Sequence, residues 1–142
     1  MKILVTGVGG QLGYDVCKVL DARKIENKGV DLADFDITDA QATHDYIAAY
    51  HPDAVIHCSA WTAVDKAEDE LDKVRAVNTE VPRNIAKVCR EIGAKMLYIS
   101  TDYVFPGTGE RFYEPDDPTG PLGAYGSTKL GGELAVKGQL DN

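Results

Sequence analysis

The 142-residue chain reads as an α/β protein: a doubly wound parallel sheet of about four strands with helices on both faces. Three observations predict this. Strand-like and helix-like segments alternate along the sequence, which calls for parallel strands joined by right-handed crossovers. The strand-like runs are short and mostly apolar on successive residues, as strands buried on both faces are. A glycine cluster, 7–13, stands between the first strand and the first helix.

The first strand is Lys2–Thr6, an apolar, β-branched run closed by Gly7. Leu12, Val16, Val19 and Leu20 then fall at helical spacing within 11–20. A polar second strand is expected over 28–31. Thr38 is the expected N-cap of a helix that runs to Tyr50 and is closed by Pro52. The run 54–58 is a third strand, followed by a loop over 59–65. A long helical stretch, 70–92, carries Pro82, which should kink or divide it, and Gly93 ends it. The fourth strand is 95–100. Residues 101–124, rich in Gly, Pro and Asp, form a long loop, a feature usually functional or mobile. A final helix covers 125–136.

Composition narrows the function classes. Hydrophobic residues make up 44% and charged residues 27%, ordinary values for a globular domain. The length suits one domain with one core. With 15 basic and 23 acidic residues the net charge is -8, which argues against non-specific nucleic-acid binding. No apolar run approaches the ~18 residues of a membrane span. The N-terminal stretch, broken by Gly7, is too short for a signal peptide. Cys17, Cys58 and Cys89 match no zinc spacing and read as free thiols, so no metal site and a cytoplasmic location are expected.

Gly7, Gly10 and Gly13 form G-x-x-G-x-x-G between strand and helix. Glycines there allow a tight turn, close backbone approach to a pyrophosphate and close helix–strand packing. The helix N-terminus supplies free N–H groups and a favourable dipole for the anion. This is the context of a Rossmann-like dinucleotide site. An acidic residue about 20 positions on binds the ribose. Asp31 is the candidate, with Asp34 and Asp36 as competitors, while Arg23, Lys24 and Lys28 leave the preference between NADPH and NADH open.

Tyr125 and Lys129 are four apart on the last helix and share a face. An ammonium beside a phenol favours the phenolate, which suits the Tyr to general acid–base work. Ser100, Thr101 and Asp102 close the fourth strand, where ligands of open parallel sheets bind.

With these motifs in order, the chain resembles the extended short-chain dehydrogenase/reductases, and among them the dTDP-4-dehydrorhamnose reductases. The matching stretches are GVGGQLG (7–13), DITD (36–39), WTAVDKAE (61–68), NTEVPRNIA (78–86), STDYVFPG (100–107) and YGSTKLGGE (125–133). The resemblance implies reduction of the 4-keto group of a dTDP-linked 6-deoxy-hexulose by NADPH or NADH. It implies that Tyr125 protonates the new alkoxide, that Lys129 lowers its pKa and binds the nicotinamide ribose, and that Thr101 orients the keto oxygen. Gly7, Gly10, Gln11, Leu12 and Gly13 would line the pyrophosphate site. Asp36 and Ile37 would border the adenine, and Ser59, Ala60 and Trp61 the cofactor after the third strand. Asp102, Tyr103 and Val104 would reach toward nicotinamide and sugar.

The chain departs from that pattern in two places. Where the family has Asn-Ala-Ala-Tyr, this sequence reads His57-Cys58-Ser59-Ala60-Trp61. Trp61 keeps an aromatic wall, and His57 reads as a core histidine. The resemblance ends just after the Tyr-x-x-x-Lys helix, whereas the family continues with further strands and a sugar-nucleotide domain. The expectation is therefore a dinucleotide-binding domain over 1–142 without the C-terminal substrate domain, and with little reductase activity alone. A strand order of 3-2-1-4 would leave strand four as an exposed edge, favouring self-association or a homodimer. A non-catalytic dinucleotide-binding or regulatory module is the alternative, against which Tyr125, Lys129 and Thr101 speak. The STDYVF stretch argues against a sugar-nucleotide epimerase.

Overall fold

In the computed structural model, which describes residues 1–140, β1 (Lys2–Thr6) is buried from Ile3 to Thr6. Successive side chains point to opposite faces of a sheet, so both faces beside β1 have to be covered. β2 (Glu26–Val30), β3 (Ala54–His57) and β4 (Lys95–Tyr98) complete a four-stranded sheet. Every pairing is parallel, and the order is β2-β1-β3-β4.

This corrects the expected order 3-2-1-4: the third strand lies beside the first, not outside the second. The side chains explain why. β2 reads Glu-Asn-Lys-Gly-Val and exposes Glu26 and Lys28, which suits an edge. β3 reads Ala-Val-Ile-His, buries Val55 and His57, and suits a place between two strands. β4 is an edge in either order.

α1 (Gln11–Ala22) covers one face, where Leu20 packs with Ile3 and Val5 and is flanked by Val16, Cys17 and Ile25. α2 (Ala40–Tyr50) and α5 (Val81–Ile92) cover the other. There Ile47, Val81, Ile85 and Val88 pack on Leu4, Val30 and Val55. Leu4, Ile47 and Ile85 are fully buried, each stabilising the fold by about 2 kcal/mol. α6 (Ala124–Lys137) lies against α5 and the turn before it. Among the described residues no helix is long and apolar enough to cross a membrane.

Several boundaries differ from expectation for local reasons. The cap of α2 is Asp39, not Thr38: its carboxylate accepts from the N–H groups of Gln41 and Ala42 at 2.9 and 3.0 Å. Thr38 instead donates to Asp36 through its amide and hydroxyl. The helical stretch begins with α4 (Leu71–Arg75), passes through a π turn, Ala76–Glu80, and continues as α5. Pro82 sits in the first turn of α5, where a missing N–H costs least. The carbonyl four residues earlier, on Asn78, accepts instead from the Tyr98 hydroxyl at 3.3 Å. A short helix, α3 (Val64–Ala67), begins inside the expected 59–65 loop. The 101–124 loop contains a single 3₁₀ turn, Asp102–Val104.

Candidate active site

From β1 the chain crosses to β2 on one side and then returns to β3 and β4 on the other. That reversal makes a crevice at the carboxyl ends of β1 and β3, where open α/β sheets bind ligands. Gly7 leaves β1 with φ of 74°, and a Cβ on it would lie 2.7 Å from the Ser59 amide nitrogen. A Cβ on Gly13 would lie 2.3 Å from the Gly7 carbonyl oxygen. Both positions therefore require glycine: the first for its backbone and the approach of β3, the second for packing of α1 on the loop. No side chain caps the N-terminus of the 12-residue helix α1, and its first turn has no acidic residue. Its free N–H groups border a cavity through Gln11, Leu12 and Gly13. An anion there gains about 0.3–1 kcal/mol from the dipole. The crevice thus fits the diphosphate of a dinucleotide.

That cavity, of about 410 Å³, is lined by Gly7, Gly10, Gln11, Leu12, Gly13, Ser59, Ala60, Tyr125 and Lys129. The predicted pyrophosphate residues and the Tyr–Lys pair, more than 100 positions apart, so share one space. A second cavity, of about 480 Å³, continues past Gly7, Gly10, Ser59 and Ala60 to Asp31, Ile37 and Trp61. Here the Asp31 carboxylate accepts from the Gly9 amide at 2.6 Å and from the Leu32 amide at 2.8 Å. Asp31 thereby ties the glycine loop to the end of β2. Among the described residues no Lys or Arg lines this cavity. Arg23 and Lys24 precede β2, and the Lys28 ammonium lies over the Tyr46 and Tyr50 rings. Asp36 does not line it. Its carboxylate is engaged by the hydroxyl and amide of Thr38, which hold it below the usual carboxylate range.

Tyr125 also lines a third cavity, of about 560 Å³, with Asp102, Tyr103 and Glu68. The Tyr103 and Tyr125 rings meet edge to face at 5.5 Å. The Lys129 side chain is buried: its ammonium donates to the Ile99 carbonyl at 2.5 Å and lies 4.3 Å from the Tyr98 ring centroid. Burial brings its pKa down to about 8, opposed by the charge of Glu133. The Tyr98 hydroxyl, kept protonated chiefly by burial, donates toward the carbonyls of Lys129 and Asn78.

Thr101 lines none of these three cavities. Its hydroxyl accepts from the Tyr103 amide at 3.3 Å, capping the 3₁₀ turn, and contacts Asp102 at 3.2 Å. Val104 is buried and lines none of these three cavities, because the 3₁₀ turn rotates it into the protein beside the exposed Tyr103. Sequence reasoning missed Phe35 and Val77 around the second cavity and Ile99 at the first; Gly9, inside the glycine cluster, and Ser100, at the end of the fourth strand, also border them. The end of β4 signalled Ser100; only the folded crossovers signal Val77.

His57 is fully buried, with Nδ1 2.8 Å from the Thr6 hydroxyl and, among the described residues, no partner at Nε2. Burial, then the nearby Lys129 charge, pushes its pKa down to about 3. It is neutral at ordinary pH, and it also borders the first cavity. The three cysteines are free thiols. Among the described residues no cluster of three His, Cys, Asp or Glu side chains is placed to hold a metal ion.

Known proteins are similar to this chain in sequence and fold. A dTDP-4-dehydrorhamnose reductase of Streptomyces griseus is 48% identical over 133 residues, which cover 94% of this chain and 44% of that protein. One from Mycolicibacterium smegmatis is 44% identical, with 95% and 41% covered. The chain thus spans less than half the length of these curated relatives. The crystal structure of a dTDP-4-dehydrorhamnose reductase from Clostridium acetobutylicum superposes with a TM-score of 0.96 at 40% identity, covering 99% of this chain and 50% of that one. A Bacillus anthracis dTDP-4-dehydrorhamnose reductase in complex with NADP gives 0.93 at 35% identity, covering 98% and 50%. The model of one family, described as the RmlD substrate binding domain, matches residues 1–142, and the chain belongs to that family.

Proposed function

We propose that this chain is the cofactor-binding and proton-donating part of an NADPH- or NADH-dependent reductase that converts dTDP-4-dehydro-L-rhamnose to dTDP-L-rhamnose. One observation carries the reading: Tyr125 is a shared wall of the glycine-loop cavity and of the cavity lined by Asp102 and Tyr103. A phenol so placed reaches both a cofactor and a second ligand.

The nicotinamide, when bound, supplies hydride to the sugar carbon. The chain's residues do the rest. Gly7, Gly10 and Gly13 let the backbone and the α1 N-terminus approach the diphosphate. Asp31 accepts from ribose hydroxyls, and Ser59, Ala60 and Trp61 wall the cofactor. Lys129, charged below about pH 8, holds the nicotinamide ribose. Tyr125 gives its hydroxyl proton to the alkoxide oxygen as the carbonyl is reduced, so oxygen gains a proton and carbon a hydride. Thr101 orients the keto oxygen from the turn that carries Asp102 and Tyr103.

We further propose that residues 1–142 form the dinucleotide-binding domain. The surface that chooses the sugar would correspond to the part of the relatives this chain does not span. Three free thiols support a cytoplasmic setting. The unpaired edge of β4, with Leu97 exposed, supports self-association. Light scattering should show mass rising with concentration, and Leu97→Lys should abolish the rise; a monomer at all concentrations refutes the edge proposal.

Titration calorimetry tests the main reading. The chain should bind NADH or NADPH, and heats of neither at millimolar cofactor would overturn it. Turnover of the 4-keto sugar nucleotide by the 142-residue chain should be slight, and robust turnover would refute the division of labour.

A further inference from the structure

α6 starts half-buried and cannot cap itself. Its N-cap is Gly123, in extended backbone and without a side chain to accept from the first-turn amides. Four N–H groups at a helix start need partners from elsewhere. Glu68, 56 residues earlier and just past α3, supplies one: its Oε1 accepts from the Ala124 amide at 2.7 Å. The glycine makes room for it, since a Cβ on Gly123 would lie 2.8 Å from that oxygen. The carboxylate also places a negative charge at the positive end of the helix dipole.

Tyr125 is the next residue. One turn on, α6 is held again: the Thr79 hydroxyl donates to the Thr128 carbonyl at 2.8 Å. Asn78, beside Thr79, clasps Trp61 through both its amide and its carbonyl, at 2.8 and 3.1 Å. Tyr125 is thus bracketed by an anchor at Ala124 and another at Thr128. Glu68 borders the same cavity as Tyr125, Tyr103 and Asp102.

We propose that Glu68 is a positioning residue for Tyr125: by capping α6 from outside the helix it sets where the phenol stands against Tyr103 and the two cavities. The role assigned to Tyr125 rests on the function proposed above; the placement does not. Amide exchange and aromatic NMR on the 142-residue chain test it, with NADH titrations run alongside. In Glu68→Ala the amides of 124–127 should exchange about fivefold faster, as expected for a lost cap. The Tyr103–Tyr125 ring contact should weaken, while denaturant stability of the whole chain and exchange in α5 stay near wild type. Gly123→Ala should reproduce this by displacing the carboxylate, and it decides the matter if Glu68→Ala does not fold. Glu68→Gln, which keeps an acceptor, should restore the ring contact. The proposal fails if the truncation and the glycine variant leave the ring contact and first-turn exchange unchanged. It fails equally if exchange rises uniformly through α5 and α6, which marks a merely structural role. Absence of NADH binding in the wild type would sink the reductase reading and leave this test intact.

Discussion

Asp31 should make this chain prefer NADH over NADPH. Its carboxylate stands at the end of β2, held by the Gly9 and Leu32 amides, and no basic residue lines the cavity it borders. An acidic residue in this place meets the ribose 2′-hydroxyl, so a phosphate on that oxygen would sit roughly 5 Å from it. A carboxylate facing a phosphate of charge about -2 at that distance is repelled by about 1.7 kcal/mol in a water-like medium, and by several times more at an effective dielectric near 20. The cavity is open, so the lower figure is the fair minimum, and it corresponds to a preference of about tenfold or more. Calorimetry at low ionic strength should show NADPH binding at least about tenfold more weakly than NADH. Asp31→Asn keeps an acceptor for the Gly9 amide and removes the charge, so it should bring the two within about threefold. Added salt should narrow the wild-type gap by screening. Equal affinities in the wild type, or an undiminished gap in the Asn variant, would refute the electrostatic argument.

Three further outcomes follow from packing and burial. Gly13→Ala places a methyl 2.3 Å from the Gly7 carbonyl oxygen, so NADH affinity should fall by more than about tenfold with far-ultraviolet circular dichroism largely kept; unaltered binding would refute the close-packing argument. His57 has a pKa of about 3 in the folded chain against 6.5 ordinarily, so between those values the unfolded chain takes up the proton. Stability should therefore fall as pH drops from 6.5 toward 3, by up to about 1.4 kcal/mol per pH unit from this group. Urea titrations should show a shallower slope in His57→Gln, and a His57 imidazole that titrates between pH 5 and 8 by NMR would contradict it. Lys129 drops to about 8 from 10.5, so stability should rise between pH 8 and 10.5, where the unfolded chain again binds more protons. NADH affinity should decline over the same range as the ammonium is lost, and a flat profile would remove Lys129 from the ribose site.

The glycine loop was legible in the sequence because its constraints are local. A strand, a glycine of positive φ and a helix N-terminus follow one another within a dozen residues, and each leaves its own mark on residue type. Sheet order was not, since nothing in 54–58 states which neighbour it takes. The deciding facts were the exposed Glu26 and Lys28 of β2 against the buried Val55 and His57 of β3. Short polar residues are ambiguous in sequence for a related reason, and among them only the expected Thr38 cap is overturned, by Asp39. Asp36, Thr38 and Thr101 carry the side chains that make both ligand contacts and backbone caps, and here each is hydrogen-bonded within its own turn.

The Tyr–Lys pair shows where local reasoning stops. Spacing of four residues puts Tyr125 and Lys129 on one face of any helix. It does not say what that face meets. In the folded chain Lys129 turns to the Ile99 carbonyl at the end of β4, and Tyr125 stands between two cavities. Both placements depend on residues far away in sequence: Glu68 at the start of α6, Thr79 one turn on, and Tyr98 beneath the Lys129 carbonyl. None of these three carries chemistry in the proposed reaction, so none stands out by residue type. The spacing of the pair permits proton transfer, but the orientation that would make it productive is held by hydrogen bonds from α3, the π turn and β4. Changes at those supports should therefore move the phenol while leaving its own sequence motif untouched.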